Sequence, residues 1–237
     1  MRAIRSFLMT ALILPCFLTS KETTIIEPSQ TKFAKEYQMD VMQLANVLKK
    51  EANDLLKNEL LWKSFEKKGK IYVAGSTYLN LLAFPDLDVY FEAKDAKSIL
   101  TVFADAAKSL IVLDQVKSIE LEKDLHQRYP KQVPEGLFLQ YRIDNGYRLW
   151  KVDIWAVADK SILDSKMQES ARFKEKMTLE QKELILQAKH QLMAPFGRTP
   201  VGSSYLVYVA VLEKGLNTVD EIIDYIRAQG GNVDKLK

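Results

Sequence analysis

Cysteine and histidine are nearly missing from these 237 residues: Cys16 stands alone, and His126 and His190 are the only histidines. One thiol cannot form an intramolecular disulfide, so nothing reads as an oxidative framework. A structural zinc site normally takes about four Cys or His ligands, more than the chain owns. An excess of one charge is lacking too. Lys and Arg number 34 against 31 Asp and Glu, a net +3, so the overall field gives little reason to expect nucleic-acid binding. Two local clusters, Lys63, Lys67, Lys68 and Lys70, then Arg142, Arg148 and Lys151, read first as solvated faces. No internal repeat and no low-complexity tract is present. What remains is 47% hydrophobic and 27% charged, the balance of a soluble globular protein able to bury a sizeable core. The length fits one large domain, or a mid-sized one with a smaller companion.

Only the start departs from that pattern. Arg2 and Arg5 precede an uncharged, mostly apolar run from Phe7 to Leu18, like the first two regions of a secretory signal. The run is shorter than the roughly 20 residues that cross a bilayer as a straight helix. Phe17, Leu18 and Thr19 fill the positions of a small-residue cleavage site, and Pro15 before Cys16 fits a lipoprotein box poorly. The expected location is cytoplasmic, with export or membrane association through residues 1–20 left open.

Residues 1–32 read as leader and linker, 33–158 as the main domain and 159–237 as a helical C-terminal region. From Phe33, apolar residues at three- and four-residue steps (Tyr37, Val41, Leu44, Ala45, Leu48, Ala52, Leu55, Leu56) predict a helical segment ended by Gly69. Ile71–Ala74 and Leu87–Phe91 predict strands, with one or two helical turns between them that Pro85 stops. Residues 94–110 predict a helix burying Ile99, Leu100, Phe103, Ala106, Ala107 and Leu110. Val116–Leu121 predicts a weaker strand, and Tyr129–Gly136 a loop. Leu137–Asp144 and Tyr147–Val157 predict a hairpin closed by a two-residue Asn145-Gly146 turn. Beyond 158 the pattern is helical: 159–176, 179–193, a helix opened by Thr199-Pro200, and one opened by the capping box at Thr218–Glu221.

Within that frame one constellation carries chemistry. Gly75-Ser76 follows the first strand; nine residues later comes Asp86-Leu87-Asp88; Asp153 lies inside the second hairpin strand. Strand alternation puts Asp86, Asp88 and Tyr90 opposite Leu87, Val89 and Phe91, and Lys151, Asp153 and Trp155 opposite Val152, Ile154 and Ala156. Each strand thus turns an apolar face one way and acids the other. An aspartate in mid-strand is disfavoured unless something compensates its charge. Magnesium takes oxygen ligands, usually one or two carboxylates plus substrate phosphates. Three acids on adjoining strands suit a two-metal site that clamps attacking and leaving oxygens. Gly75 lets backbone approach a phosphate, and Ser76 adds a hydroxyl.

Gly75-Ser76, the nine-residue spacer, Asp86-Leu87-Asp88 and Val152-Asp153-Ile154 resemble the nucleotidyltransferase fold of the DNA polymerase β superfamily, in particular its small stand-alone bacterial members. The resemblance covers about residues 35–160. It implies an α+β fold, a mixed β-sheet flanked by helices with a C-terminal helical region. It implies two Mg²⁺ ions (or Mn²⁺) and transfer of a nucleoside monophosphate from an NTP, ATP included, to a hydroxyl acceptor on a small molecule, protein or RNA. By position, Asp86 and Asp88 would bind metal, Asp153 would bind metal and help activate the acceptor, and Gly75 and Ser76 would hold the triphosphate. Asn80 and Leu82 stand where many members carry a glycine. Two other readings compete: a non-catalytic nucleotide- or partner-binding module of the same fold, and an Asp-x-Asp glycosyltransferase, which would want more alternating strands and helices before the triplet.

Other candidates are weaker. Arg198 is placed to touch a triphosphate but reads as surface. Lys151 either offsets Asp153 or binds phosphate. Tyr205 and Tyr208 share a helix side, for base stacking or, more simply, packing. Trp62, Trp150 and Trp155 read as core or sheet cover, Glu92 as a further acid behind the site or, more simply, a strand-end surface residue, and His126 and His190 as solvated.

Overall fold

The structure, a computed structural model, describes residues 40–123, 136–157, 159–193, 203–231 and 233. The leader and linker, Phe33, Tyr37, His126, the loop before Gly136, Arg198 and the Thr199-Pro200 start lie outside them.

The stripe Leu44, Leu48, Ala52 and Leu55 folds as α1 (Val41–Leu56), buried along that line and capped by Asp40, which accepts from Met42 N at 3.2 Å. The helical segment does not run unbroken to Gly69. Asn58 accepts from Leu60 N at 3.2 Å and starts a separate helix, α2 (Glu59–Glu66); an asparagine at this position offers the freed backbone N–H a local partner. Gly69 then opens strand β1 (Gly69–Val73) rather than closing a helix. Next come α3 (Gly75–Leu79) and β2 (Asp86–Ala93). A 3₁₀ turn at Ala96–Ser98 leads into α4 (Ile99–Ile111). Its buried line is Val102, Phe103, Ala106 and Leu110, while Leu100, expected inside, is 62% exposed at the edge of the stripe.

β3 (Val116–Glu122), β4 (Gly136–Asp144) and β5 (Leu149–Val157) complete a five-stranded sheet in the order β1-β2-β5-β4-β3. β2 and β5 run parallel and the other three pairs antiparallel, so the sheet is mixed and the fold α+β, as expected. Its inner face presents Leu87, Val89, Phe91, Leu139, Tyr141, Val152 and Ile154, all fully buried, to α1, α2 and α4. Phe65 meets Phe91 and Phe103 edge-on at ring distances of 5.4 and 5.6 Å, a favoured aromatic arrangement.

The β4–β5 connection is longer than the Asn-Gly signal suggested. Asp144 pairs with Leu149, not Tyr147, leaving four residues in the turn. Asn145 Oδ1 accepts from the backbone N–H of Tyr147 and Arg148 at 3.0 and 2.9 Å, so the asparagine side chain closes the turn itself. A two-residue change in register leaves every side chain on its predicted face. Glu51, buried on α1, fixes this turn: its Oε2 accepts from Asn145 Nδ2 at 2.9 Å and Trp150 Nε1 at 3.0 Å and pairs with Arg148 Nε at 3.0 Å. Arg148 thus leaves the basic cluster expected around Asp153.

The C-terminal helices are α5 (Lys160–Lys176), α6 (Leu179–Met193), α7 (Ser203–Leu212) and α8 (Val219–Ala228), the last opened by the expected Thr218/Glu221 capping box. They build a second core around Leu186, Leu192, Val207, Ala210 and Ile222. Ala45 of α1, Leu79 at the end of α3 and Leu81 just past it belong to that core, so the helical region packs under the turn that carries Gly75 and Ser76. No described helix is long and apolar enough to cross a membrane.

Candidate active site

The parallel pairing of β2 and β5 sets Asp86 beside Lys151 and Asp88 directly beside Asp153. All four lie on the face opposite the sheet's apolar one. One ligand oxygen from each of Asp86, Asp88 and Asp153 falls within 4.8 Å of the others. Burial, then the charges of Asp86 and Asp153, push the Asp88 carboxyl well above the usual carboxylate range. Burial, then Asp86, raises Asp153 to about 7, against the pull of Lys151. The Lys151 ammonium lies 3.1 Å from Asp86 Oδ1 and 2.9 Å from Asp153 Oδ2. Burial disfavours its charge, but Asp86, Asp153 and Asp88 outweigh that and raise its pKa.

Three clustered carboxylates against one ammonium cannot all ionise cheaply in a partly dry site without a further cation. Asp153 Oδ1 is buried with no hydrogen-bond donor among the described residues, a costly state unless a cation takes it. The donor set is all oxygen, the preference of Mg²⁺ or Mn²⁺. The cluster therefore fits divalent metal. A stability consequence follows for metal-free protein. An unfolded Asp releases its proton near pH 3.9, whereas folded Asp153 holds it to about 7. The folded state binds more protons across that window, so its stability falls as pH rises from about 4 to 7. Chelator-treated protein is expected to melt lower at pH 8 than at pH 5, and added Mg²⁺ to recover the loss at pH 8 but little at pH 5. Melting curves read the effect, on the order of a few kcal/mol; a chelator-insensitive, pH-flat profile would contradict it.

Gly75 abuts the acids. It adopts φ +53°, and a Cβ there would collide with Asp88 Oδ2. Together these favour glycine over any residue with a side chain. Ala74 N donates to Asp88 O at 2.9 Å, and Asn80, left-handed at φ 59°, closes α3. Ser76 is buried at the start of this turn, its Oγ 2.9 Å from Tyr208 Oη on α7.

Sequence reasoning missed Lys189. This α6 lysine has no exposed surface. Its Nζ donates to Ser76 Oγ at 2.7 Å, Leu81 O at 2.7 Å and Tyr208 Oη at 3.2 Å. All three partners are neutral, and no ion pair among the described residues uses it. An enclosed ammonium without an anion is unfavourable; its charge opposes the rise of the Asp88 carboxyl, as the smallest of the effects on that group. The signal was present: Lys189 lies four residues after Ile185 and three before Leu192, both buried, on the apolar line of α6.

Tyr208 is buried and hydrogen-bonded rather than open for stacking, while Tyr205 is 43% exposed and donates to Glu169 Oε1 at 2.9 Å. Trp62 and Trp150 are core; Trp155 stacks on Phe138 at 4.3 Å as sheet cover. Glu92 accepts from Tyr72 Oη at 2.5 Å and pairs with Lys160 at 3.3 Å. His190 is half-buried, not solvated, and burial lowers its pKa.

No protein family and no curated protein sequence matches this chain. Solved structures do. A Cid1 poly(U) polymerase bound to MgGTP aligns with a TM-score of 0.50 at 15% identity, over 78% of this chain and 54% of that one. The non-canonical poly(A) polymerase complex GLD-2–GLD-3 aligns at 0.47 and 16%, over 81% and 60%. The STING-associated CdnE c-di-GMP synthase from Capnocytophaga granulosa aligns at 0.46 and 11%, over 87% and 79%. The chain has the nucleotidyltransferase fold that its motifs resembled. It spans little more than half the length of the polymerase chains it matches.

Proposed function

We propose that this protein is a metal-dependent nucleotidyltransferase, moving a nucleoside monophosphate from an NTP to a hydroxyl acceptor with release of pyrophosphate. The observation that carries the reading is the clustering of Asp86, Asp88 and Asp153 oxygens within 4.8 Å across two paired strands. Asp86 and Asp88 would hold two Mg²⁺ ions, with Asp153 sharing one. Bound there, the ions would supply Lewis-acid activation of the acceptor hydroxyl and neutralise charge on the departing pyrophosphate. Asp153, with a carboxyl oxygen that meets no donor among the described residues, would orient the acceptor and take its proton. The acceptor oxygen bonds to the α-phosphorus as the bond to the bridging oxygen breaks. Gly75 gives the triphosphate room beside Asp88. Ser76 stands at the start of the turn beside it, and the enclosed Lys189 ammonium behind that hydroxyl would add positive potential without touching the phosphates. The fold neighbour bound to MgGTP supports a metal–nucleotide as the donor.

The test is Mg²⁺-dependent pyrophosphate release from each of the four NTPs, run with a lysate supplying acceptors and labelled nucleotide marking the product. Release that a chelator abolishes, with label transferred to an acceptor, is the expected result. If every NTP gives only the chelator background, the protein is a binding module and the proposal is wrong.

A further inference from the structure

Lys151 occupies the place a cation would take. It is the direct parallel-strand neighbour of Asp86 and lies two residues before Asp153. Its ammonium sits between them, at 3.1 Å from Asp86 Oδ1 and 2.9 Å from Asp153 Oδ2. The side chains of both acids are nearly enclosed, 13% and 10% exposed, and that of Lys151 is 23% exposed. An ion that joins Asp86 to Asp153 can reach Asp153 Oδ1, which meets no donor among the described residues, yet it must share the two carboxylates that Lys151 bridges. An ammonium and a divalent ion on one pair of carboxylates repel each other strongly in so dry a place.

We propose that Lys151 is a placeholder cation that the divalent ion displaces, an inference that rests on the metal reading above. In the substrate-free protein the ammonium bridges the two strands' acids and keeps them from repelling. When the ion enters, the ammonium swings out on its four-carbon stem. A lysine head is a compact, strongly hydrated charge on a flexible chain, suited to such exchange. Released on the site face beside the acids, it meets the phosphates of a metal-bound nucleoside triphosphate and pairs with them. The bare ion then competes with a resident charge and binds weakly, whereas ion and triphosphate together satisfy every charge. The site thus favours the metal–nucleotide complex over free metal.

The experiment measures Mn²⁺ binding alone, by electron paramagnetic resonance, to wild type, Lys151→Met and Lys151→Arg. The methionine variant is expected to bind Mn²⁺ about tenfold or more tightly than wild type, and the arginine variant within about threefold of it. A residue that merely held the strands together would, when lost, weaken the metal site instead. A second measurement needs no variant: acetylation of Lys151 in wild type, followed by mass spectrometry. Labelling is expected to be low without metal, to rise with Mn²⁺ alone, and to fall again when a non-hydrolysable ATP analogue joins Mn²⁺. Equal Mn²⁺ affinity in all three proteins, or labelling that Mn²⁺ leaves unchanged, overturns the placeholder and leaves the metal site standing. Labelling that stays high with the analogue overturns its phosphate pairing. If none of the three proteins binds Mn²⁺, the proposed reaction falls and the placeholder falls with it.

Discussion

Asp88→Asn and Asp153→Asn are each expected to cut nucleotidyl transfer by about three orders of magnitude or more, for different reasons. A metal clamp on a transferring phosphoryl group supplies several kcal/mol, and each ~1.4 kcal/mol is tenfold in rate. Asp88 stands at the centre, beside Asp153 in register and against Gly75. An amide there is a poor ligand, so affinity for the metal–nucleotide should fall along with turnover. Asp153 lies toward the acceptor in the proposed arrangement. Its loss should leave metal–nucleotide affinity within several-fold while transfer fails, because the other two acids still hold the donor. Stability moves the opposite way. Burial and two like charges work against ionised Asp88 in metal-free protein, so the isosteric amide should raise the chelator-treated melting temperature. Calorimetry with equilibrium nucleotide binding and single-turnover transfer separates these effects. An Asp88→Asn protein that is folded, binds Mg²⁺–nucleotide normally and turns over near the wild-type rate would remove the acid site from the mechanism.

How much of this was legible in the chain depends on what kind of signal each part leaves. The acids were readable because strand alternation is strict: the parity of Asp86, Asp88 and Asp153 against Leu87, Val89, Val152 and Ile154 fixes their face whatever the register. That robustness shows in the hairpin, where the turn was two residues longer than Asn145-Gly146 suggested and no side chain changed sides. Helix boundaries were less secure, since the break at Asn58 interrupts an apolar line that continues through Leu61 and Phe65. Lys189 stayed hidden because a lysine in a polar helix reads as solvated by default. Its partners, Ser76, Leu81 and Tyr208, lie 113, 108 and 19 residues away in sequence, a proximity no local pattern can state. What could be read was the interruption itself, a charged residue on the line of Ile185, Leu186 and Leu192. A break in a local rule with no local compensation is where a functional residue should be sought.

Lys189→Met carries that reasoning to its sharpest test. The substitution keeps an unbranched side chain of similar length in a space with no exposed surface, while removing the charge. A structural lysine would leave a destabilised protein. Here, the gain from no longer burying an ammonium is set against the loss of donors to Leu81 O and two hydroxyls, each worth about 1 kcal/mol. Ser76 and Tyr208 remain hydrogen-bond partners of each other at 2.9 Å. The terms nearly cancel, so the melting temperature should stay within a few degrees of wild type. Activity should not. The ammonium is enclosed, so it acts on the triphosphate through Ser76 and by its field, worth roughly 1–3 kcal/mol in a partly dry site, about tenfold to a hundredfold in kcat/KM. Lys189→Arg should fail as well, because a larger forked head has no room where every surface is already covered. Near-wild-type melting with a tenfold or larger loss, equal across all NTPs, would show the cation acting on the phosphates that the donors share. A large drop in melting temperature with unchanged activity per folded molecule would make Lys189 a structural tie between α6 and the Gly75-Ser76 turn, and nothing more.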